Sequence, residues 1–297
     1  VASLAHELEY LATLGATKYV QRLSDEKADR MGIGLGRLMY RVLHKRRKVA
    51  FDNLKQALGS DYSDEQLEEI SRKVFANIGQ TLVEFSRFKQ LGREGVRRII
   101  TGPGEENIAK AYAEGKGGIL LTAHFGNWEI LGAWVAALGY PMDFLVGRQH
   151  NAKVDRLLLG FRSEMKVGLI PLATAARSVF KALKANHITG IVADQHAPGG
   201  SVVLDFFGRP CAWAKGPSLF AIRAGAPLLP YLLRRERFDR HVLMPGEPIY
   251  PPNSGDEEKD IETMIVAYAR FLENGIRAYP DQWMWTHRRW KLDTPAT

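Results

Sequence analysis

Hydrophobic positions fall into two textures along the chain, changing near residue 100. Before that point apolar residues recur every three or four positions, the period of a helix with one buried face. In "SDEQLEEISRKVFANIGQTLVEF", Leu67, Ile70, Val74, Ile78 and Leu82 keep this period, and Ser63 with Gln66 has capping-box spacing. "GRLMYRVLHKRRKVAF" reads as helical. It places Arg37, Arg41, Lys45 and Lys48 on one stripe, with Leu35, Leu38, Met39, Val42 and Val49 largely on the other side. After residue 100, short apolar runs alternate with amphipathic stretches. "GGILLTAH" precedes "NWEILGAWVAAL", "MDFLVGR" precedes "AKVDRLLLGFRSEM", and "GLIPL" precedes "ARSVFKALKAN". "ITGIVADQ" and "PLLPYLLRR" follow, and "DIETMIVAYARFLENGIRAYP" predicts a closing helix. This alternation predicts an α/β fold with a mainly parallel central sheet flanked by helices, plus an N-terminal helical region. The expected division is 1–100 for the helical region, packed on the core, and 101–297 for the α/β core. No Gly/Ser tract, repeat or low-complexity segment marks the boundary.

Composition narrows the classes. A chain of 297 residues, 45% hydrophobic and 25% charged, has the make-up of a soluble globular protein with a sizeable core. The net charge of +8 points to an anionic partner: nucleic acid, a phospholipid surface or an acidic substrate. The single cysteine, Cys211, excludes an internal disulfide framework and a cysteine-based metal site. No uncharged apolar run of about 18 residues predicts a transmembrane helix. The chain begins at Val1, which leaves room for a removed leader or anchor.

Candidate chemistry centres on "LLTAHFGNWEI". Ligands of open α/β sheets bind at the carboxyl ends of the strands. His124 closes such a strand, Gly126 permits a tight turn, and Asn127 can cap the next helix. Glu129 then falls in the first helical turn and is expected to fold back towards His124. A carboxylate on one imidazole nitrogen fixes the tautomer and leaves the other nitrogen to take a proton from a hydroxyl. Each feature alone also occurs for structural reasons, so the functional reading rests on their combination. His124, His150, His187 and His196 form no close-spaced ligand pair, so no metal site is expected. "GPSLF" around Ser218 lacks the second glycine of a nucleophile elbow.

Other residues carry two readings each. Arg148 follows the strand "MDFLV"; it can bind a substrate oxygen bidentately or form a surface ion pair. Asp194, ending "ITGIVA", can cap a turn or order the site, and Gln195 can only hydrogen-bond. Arg162 is expected in a structural salt bridge with a neighbouring carboxylate. The basic stripe at 37–48 is either a solvated face or a docking surface for anionic lipid. "WMWTHRRW", with Trp283, Trp285, Trp290, Arg288 and Arg289, suits a lipid interface or a core edge with cation–π packing.

"HFGNWE" resembles the H-x4-D/E motif of the lysophospholipid acyltransferase superfamily. Its wording is similar to the bacterial lipid A late acyltransferases, the lauroyl and myristoyl transferases. Acyltransferases of mycobacterial mannosylated phosphoinositides share the general pattern. "RRKVAFDNLKQAL", "FLVGRQHN", "VADQHAPGGSVVLDFFGRP", "AGAPLLP" and "YPDQWMWTHRRWK" resemble further blocks of that family, so the likeness spans about residues 30–291. One departure stands out: Asp194-Gln195-His196 replaces the Asp-Gln-Asp frequent in lipid A enzymes.

The resemblance implies a membrane-associated enzyme that moves a fatty acyl chain from acyl-carrier protein or acyl-CoA to a lipid hydroxyl. No metal or other cofactor is implied. His124 is then the base and Glu129 its partner, with Arg148, Asn127, Asp194 and Gln195 as substrate-binding candidates. The implied acceptor is a lipid A precursor, or alternatively another glycolipid or a lysophospholipid. The implied location is the cytoplasmic face of the bacterial inner membrane, peripheral or anchored, with residues 1–100 docking there. Two rivals come from other classes. A basic nucleic-acid-binding module accounts for the charge but shows no recognised motif. A non-catalytic lipid-binding protein has no need of the His–Glu pair.

Overall fold

A computed structural model describes residues 4–196 and 200–291. Five helices come first: α1 (Leu4–Val20), α2 (Asp25–Val42), α3 (His44–Leu58), α4 (Asp64–Ser86) and α5 (Phe88–Ile99). The α/β part runs β1 (Ile100–Thr101), α6 (Glu105–Ala113), β2 (Gly118–Thr122), α7 (Trp128–Leu138), β3 (Met142–Val146) and α8 (Ala152–Glu164). It continues with β4 (Gly168–Pro171), α9 (Ala175–Lys184) and β5 (Ile188–Val192). A hairpin of β6 (Ser201–Phe206) and β7 (Arg209–Ala214) precedes α10 (Gly216–Ala224), β8 (Leu228–Arg237), β9 (Arg240–Pro245) and α11 (Glu257–Ala278).

The main sheet has seven strands in the order β1-β9-β8-β2-β5-β3-β4, and β6 and β7 form a separate antiparallel pair. From β8 to β4 all neighbours are parallel, and β9 runs antiparallel to β8 with β1 parallel to β9. The expected α/β fold with a mainly parallel sheet is therefore present. The hairpin, β1 and β9 were not anticipated.

Strand β2 lies at the sheet's centre and is buried along its whole length. Ile119 and Leu121 pack with residues of α3, α4, α9, α10 and α11; Leu120 packs on the other side with α5, α6, α7 and α8. A strand covered on both faces needs an unbroken apolar run, which "GILLT" supplies. The N-terminal helices share this core: Leu54, Leu67 and Phe75 belong to the same cluster as Ile119 and Leu121. The capping box of α4 is formed as the spacing predicts, Ser63 receiving the Gln66 amide and Gln66 the Ser63 amide.

The stripe expected over residues 37–48 is not continuous. α2 ends at Val42 and α3 starts at His44, with Leu43 at the corner. Arg37 and Arg41 thus sit on one helix, Lys45 and Lys48 on another. Nor does the leucine side of α2 face inward. Its buried residues are Ala28, Gly32, Gly36 and Tyr40, spaced by four, while Leu38 and Val42 are exposed. Glycine explains this. A Cβ on Gly36 would lie 2.2 Å from the Phe75 carbonyl oxygen, and one on Gly79 2.2 Å from that of Gly32. Backbone-to-backbone contact of α2 with α4 takes the place that leucines would fill.

Candidate active site

β2 and β5 are parallel neighbours in which Gly118 pairs with Ile188 and Thr122 with Val192. Continuing that register two residues past each strand sets His124 beside Asp194. The imidazole Nδ1 lies 2.8 Å from Asp194 Oδ1, and the backbone N–H of His124 donates to Oδ2 at 3.0 Å. The Trp283 indole N–H donates to the same Oδ2 at 2.7 Å. The Gln195 amide nitrogen lies 3.3 Å from Nδ1 and 3.5 Å from Nε2. The Trp128 ring meets the imidazole edge-on, 4.8 Å between centroids. Asp194 is 2% exposed, whereas a fifth of the His124 side chain, 21%, faces solvent. With Nδ1 engaged by the carboxylate, Nε2 is the nitrogen available to a ligand.

Burial opposes charge on both partners, and their mutual attraction overrides it. Against the effect of burial, the Asp194 charge and hydrogen bond, with a further contribution from Glu129, hold the His124 pKa above its ordinary value. Asp194 is likewise pushed up by burial. The His124 charge, its hydrogen bonds and the Trp283 indole more than offset this and hold the carboxyl below its usual range. The pair is built to carry a positive imidazolium next to a carboxylate.

Glu129 does not occupy the place expected for it. Its carboxylate is gripped bidentately by Arg162, Nε to Oε2 at 2.9 Å and Nη2 to Oε1 at 2.7 Å. Arg162 thereby makes the structural salt bridge predicted for it. The physical reason is reach. Glu129 lies on α7 within reach of Arg162 on α8, whereas Asp194 arrives on the adjacent strand in register with His124. Glu129 remains near enough for its charge to act on the imidazole.

Asn127 caps α7, accepting the Ile130 amide at 3.2 Å. Its side-chain nitrogen donates to Glu84, and the residue is fully buried, so it is not open to a substrate as expected. Arg148 is exposed after β3 and makes no hydrogen bond or ion pair with the described residues of the site. Among the described residues, no cluster of three or more His, Cys, Asp or Glu is placed to hold a metal ion.

The turn between His124 and α7 is fixed from beneath. Gly126 has φ +53°, and a Cβ there would lie 1.8 Å from the Leu233 carbonyl oxygen, so only glycine fits. Thr81 donates to the Gly126 carbonyl at 2.9 Å. Glu84, which holds Asn127, also pairs with Arg235 and with His241 Nε2 at 3.2 Å, all three buried. Arg235 in turn donates to Asn77 at 2.8 Å and Thr81 at 2.7 Å. Burial raises the Glu84 pKa, but Arg235 and His241 outweigh it and hold the carboxyl low.

The C-terminal segment closes the site. The Met284 amide donates to the His124 carbonyl at 2.9 Å, beside the Trp283–Asp194 bond. Asn53 of α3 donates to the carbonyls of Trp285 (2.7 Å) and His287 (2.6 Å). Trp283 and Trp285 are buried, so this segment is a core edge and not a lipid-facing belt. Arg289 stacks on Trp213 with its guanidinium carbon 4.2 Å from the ring centroid.

Glu84, Arg235 and Asn53 were not anticipated, and Trp283 was singled out without its bond to Asp194. Their partners lie far off in sequence, and nothing local marks them. Asp194 did carry a signal: "GILLTAH" and "ITGIVAD" are seven-residue runs, each ending in a titratable residue two places beyond its strand.

Comparison with known proteins identifies the family. The model of the family described as bacterial lipid A biosynthesis acyltransferase matches residues 3–292. The chain is 26% identical over 264 residues to a lipid A biosynthesis lauroyltransferase of Escherichia coli K12, covering 88% of this chain and 84% of that protein. It is 24% identical over 267 residues to a lipid A biosynthesis palmitoleoyltransferase of the same organism, with the same coverage of both chains. A phosphatidylinositol mannoside acyltransferase of Mycobacterium tuberculosis is 26% identical over 217 residues, 69% of this chain and 63% of that protein. With a family match along nearly its whole length, the chain belongs to the bacterial lipid A biosynthesis acyltransferase family and is an acyltransferase.

Proposed function

We propose that this enzyme transfers a fatty acyl group from a thioester, acyl-carrier protein or acyl-CoA, to a hydroxyl of a glycolipid, with a lipid A precursor as acceptor. The observation that carries the proposal is the buried Asp194 on Nδ1 of a partly exposed His124 whose Nε2 meets only the Gln195 amide, at 3.5 Å, among the described residues. Nε2 removes the acceptor's hydroxyl proton as its oxygen bonds to the thioester carbonyl carbon. Asp194 stabilises the imidazolium that results. As the tetrahedral intermediate collapses, the C–S bond breaks and the imidazolium returns its proton to the leaving thiolate. The Gln195 amide, beside the imidazole, is assigned to the developing oxyanion, and Arg148 is the cation on the same rim for an acidic substrate group. Glu129, held by Arg162, acts at one remove through its charge and the position of the helix start. Positioned proton transfer of this kind contributes ~10²–10⁴ in rate.

A different glycolipid acceptor, such as a mannosylated phosphoinositide, is favoured by one observation: His196 follows Gln195 where lipid A enzymes frequently carry Asp. We place the enzyme at the cytoplasmic face of the bacterial inner membrane, peripheral or anchored. Among the described residues no helix is long and apolar enough to cross a membrane. Leu38, Val42 and Leu43 are exposed beside Arg37 and Arg41, a pairing suited to an anionic lipid surface. The test is incubation with isotope-labelled acyl-carrier protein and acyl-CoA donors plus a bacterial lipid extract, followed by mass spectrometry. One lipid should gain a labelled acyl chain, and its identity chooses the acceptor. No labelled lipid with either donor would overturn the proposal.

A further inference from the structure

The wall that closes the catalytic pair has a second side. Residues 283–288 face Asp194 and His124 through Trp283 and Met284. From the other direction α3 holds the same segment: Asn53 binds the Trp285 and His287 carbonyls, and Arg46 donates to the Thr286 carbonyl at 3.2 Å. Between α3 and this segment runs a groove of about 740 Å³. Among the described residues its cations are Lys45, Arg46, Lys48, Arg288 and Lys291, and its one carboxylate is Asp52, which is bridged to Lys48 at 3.2 Å. Lys45 and Arg288 are exposed and make no hydrogen bond or ion pair with the described residues. Lys45 and Arg46 stand in the first turn of α3, where there is no acidic residue and the helix dipole adds to their repulsion. Among the described residues the charges of Lys45 and Arg288 are therefore left unbalanced.

We propose that this groove binds a phosphate ester carried by one of the two substrates; the proposal rests on the acyl-transfer function above. Its distance from the reacting centre fits. From Met284, which holds the His124 carbonyl, to Arg288 the chain spans at most ~14 Å when extended. The two sites also meet electrostatically at His287. Burial lowers its pKa, and the charges of His124, Arg46 and His196 add to that against the opposing pull of Asp194. Two sources offer the same chemistry. The donor thiol arm of acyl-carrier protein or coenzyme A carries phosphate, and so does a phosphorylated glycolipid acceptor.

The test uses Lys45→Gln/Arg288→Gln, two side chains without partners among the described residues. A control, Lys181→Gln/Lys184→Gln, removes equal charge from exposed positions at the end of α9, beside the start of β5 and away from the carboxyl rim. Calorimetric titration with coenzyme A, and separately with glucose 1-phosphate, requires no turnover, so it reads the groove even where acyl transfer fails. At least one probe should bind wild type and the control alike, and about tenfold or more weakly to the groove variant. Binding of coenzyme A assigns the groove to the donor; binding of the sugar phosphate alone assigns it to the acceptor. In the transfer assay the groove variant should raise KM for that substrate about tenfold and leave kcat within about twofold. Neither probe binding, equal binding by the groove variant, or a fall in kcat at unchanged KM would each overturn the proposal.

Discussion

Replacing Asp194 by Asn removes a charge that no other group at the site can supply, because Glu129 is committed to Arg162. Asp194→Asn should therefore lower the transfer rate by on the order of 10³ or more, the scale of losing the group that orients a catalytic imidazole. Glu129→Gln keeps the His124–Asp194 pair and should cost less; initial rates of the two purified variants check this, and the reverse ranking would return Glu129 to the imidazole. The base must be neutral to act, and its pKa is raised. So kcat/KM should climb as pH rises through a value above ~6.5, and Glu129→Gln, which removes one of the raising charges, should move that limb to lower pH. Stability follows the opposite logic. The contribution of His124 is full below its unfolded pKa and is lost as pH rises through the raised folded value. That of Asp194 is full above the ordinary carboxylate pKa and is lost as pH falls through its lowered value.

At the scale of elements, the β2–α7 turn is where backbone geometry and chemistry meet. The sequence shows why the turn is tight, with Gly126 and Asn127 in view, and the strand and the cap are found where the pattern places them. It does not show which strand comes to lie beside β2. That choice is tertiary: β5 inserts between β2 and β3 and brings Asp194, while the nearer carboxylate on α7 is drawn to Arg162 of α8. Two stability predictions belong here. Gly126→Ala should lower Tm far more than Gly115→Ala. Both carry left-handed strain, at φ +53° and +73°, but only the first drives a Cβ into a backbone oxygen. Glu84→Ala should destabilise the fold by ~3–5 kcal/mol in denaturant titrations, because it strands Arg235 without its buried carboxylate. Equal Tm for the two glycine variants, or a neutral Glu84→Ala, would show that the turn is held by something else.

Across the whole molecule, the pattern of apolar runs was enough for the α/β class and most strands, because a strand buried on both faces leaves a strong local mark. Long-range docking leaves none. Asn53 in the N-terminal helices and Trp285 near the other end are joined by a hydrogen bond across 232 positions. α2 also turned its glycines inward and its leucines out, since helices can meet backbone to backbone. That arrangement leaves Leu38 and Val42 exposed with Arg37 and Arg41. Arg37→Glu/Arg41→Glu should accordingly weaken flotation with anionic vesicles by more than about tenfold, at about 1 kcal/mol per basic side chain, with less difference at high salt. Unchanged flotation would remove this face from the membrane account. The most direct test of the central claim is the rate of acyl transfer by His124→Ala and His124→Asn beside wild type, at matched concentrations of folded protein. The asparagine variant can still donate to Asp194, and in both variants Trp283 and a backbone amide continue to hold that carboxylate, so both should fold. A base at Nε2 predicts that both lose transfer by at least ~10²–10⁴. Turnover near the wild-type rate by either folded variant would contradict it.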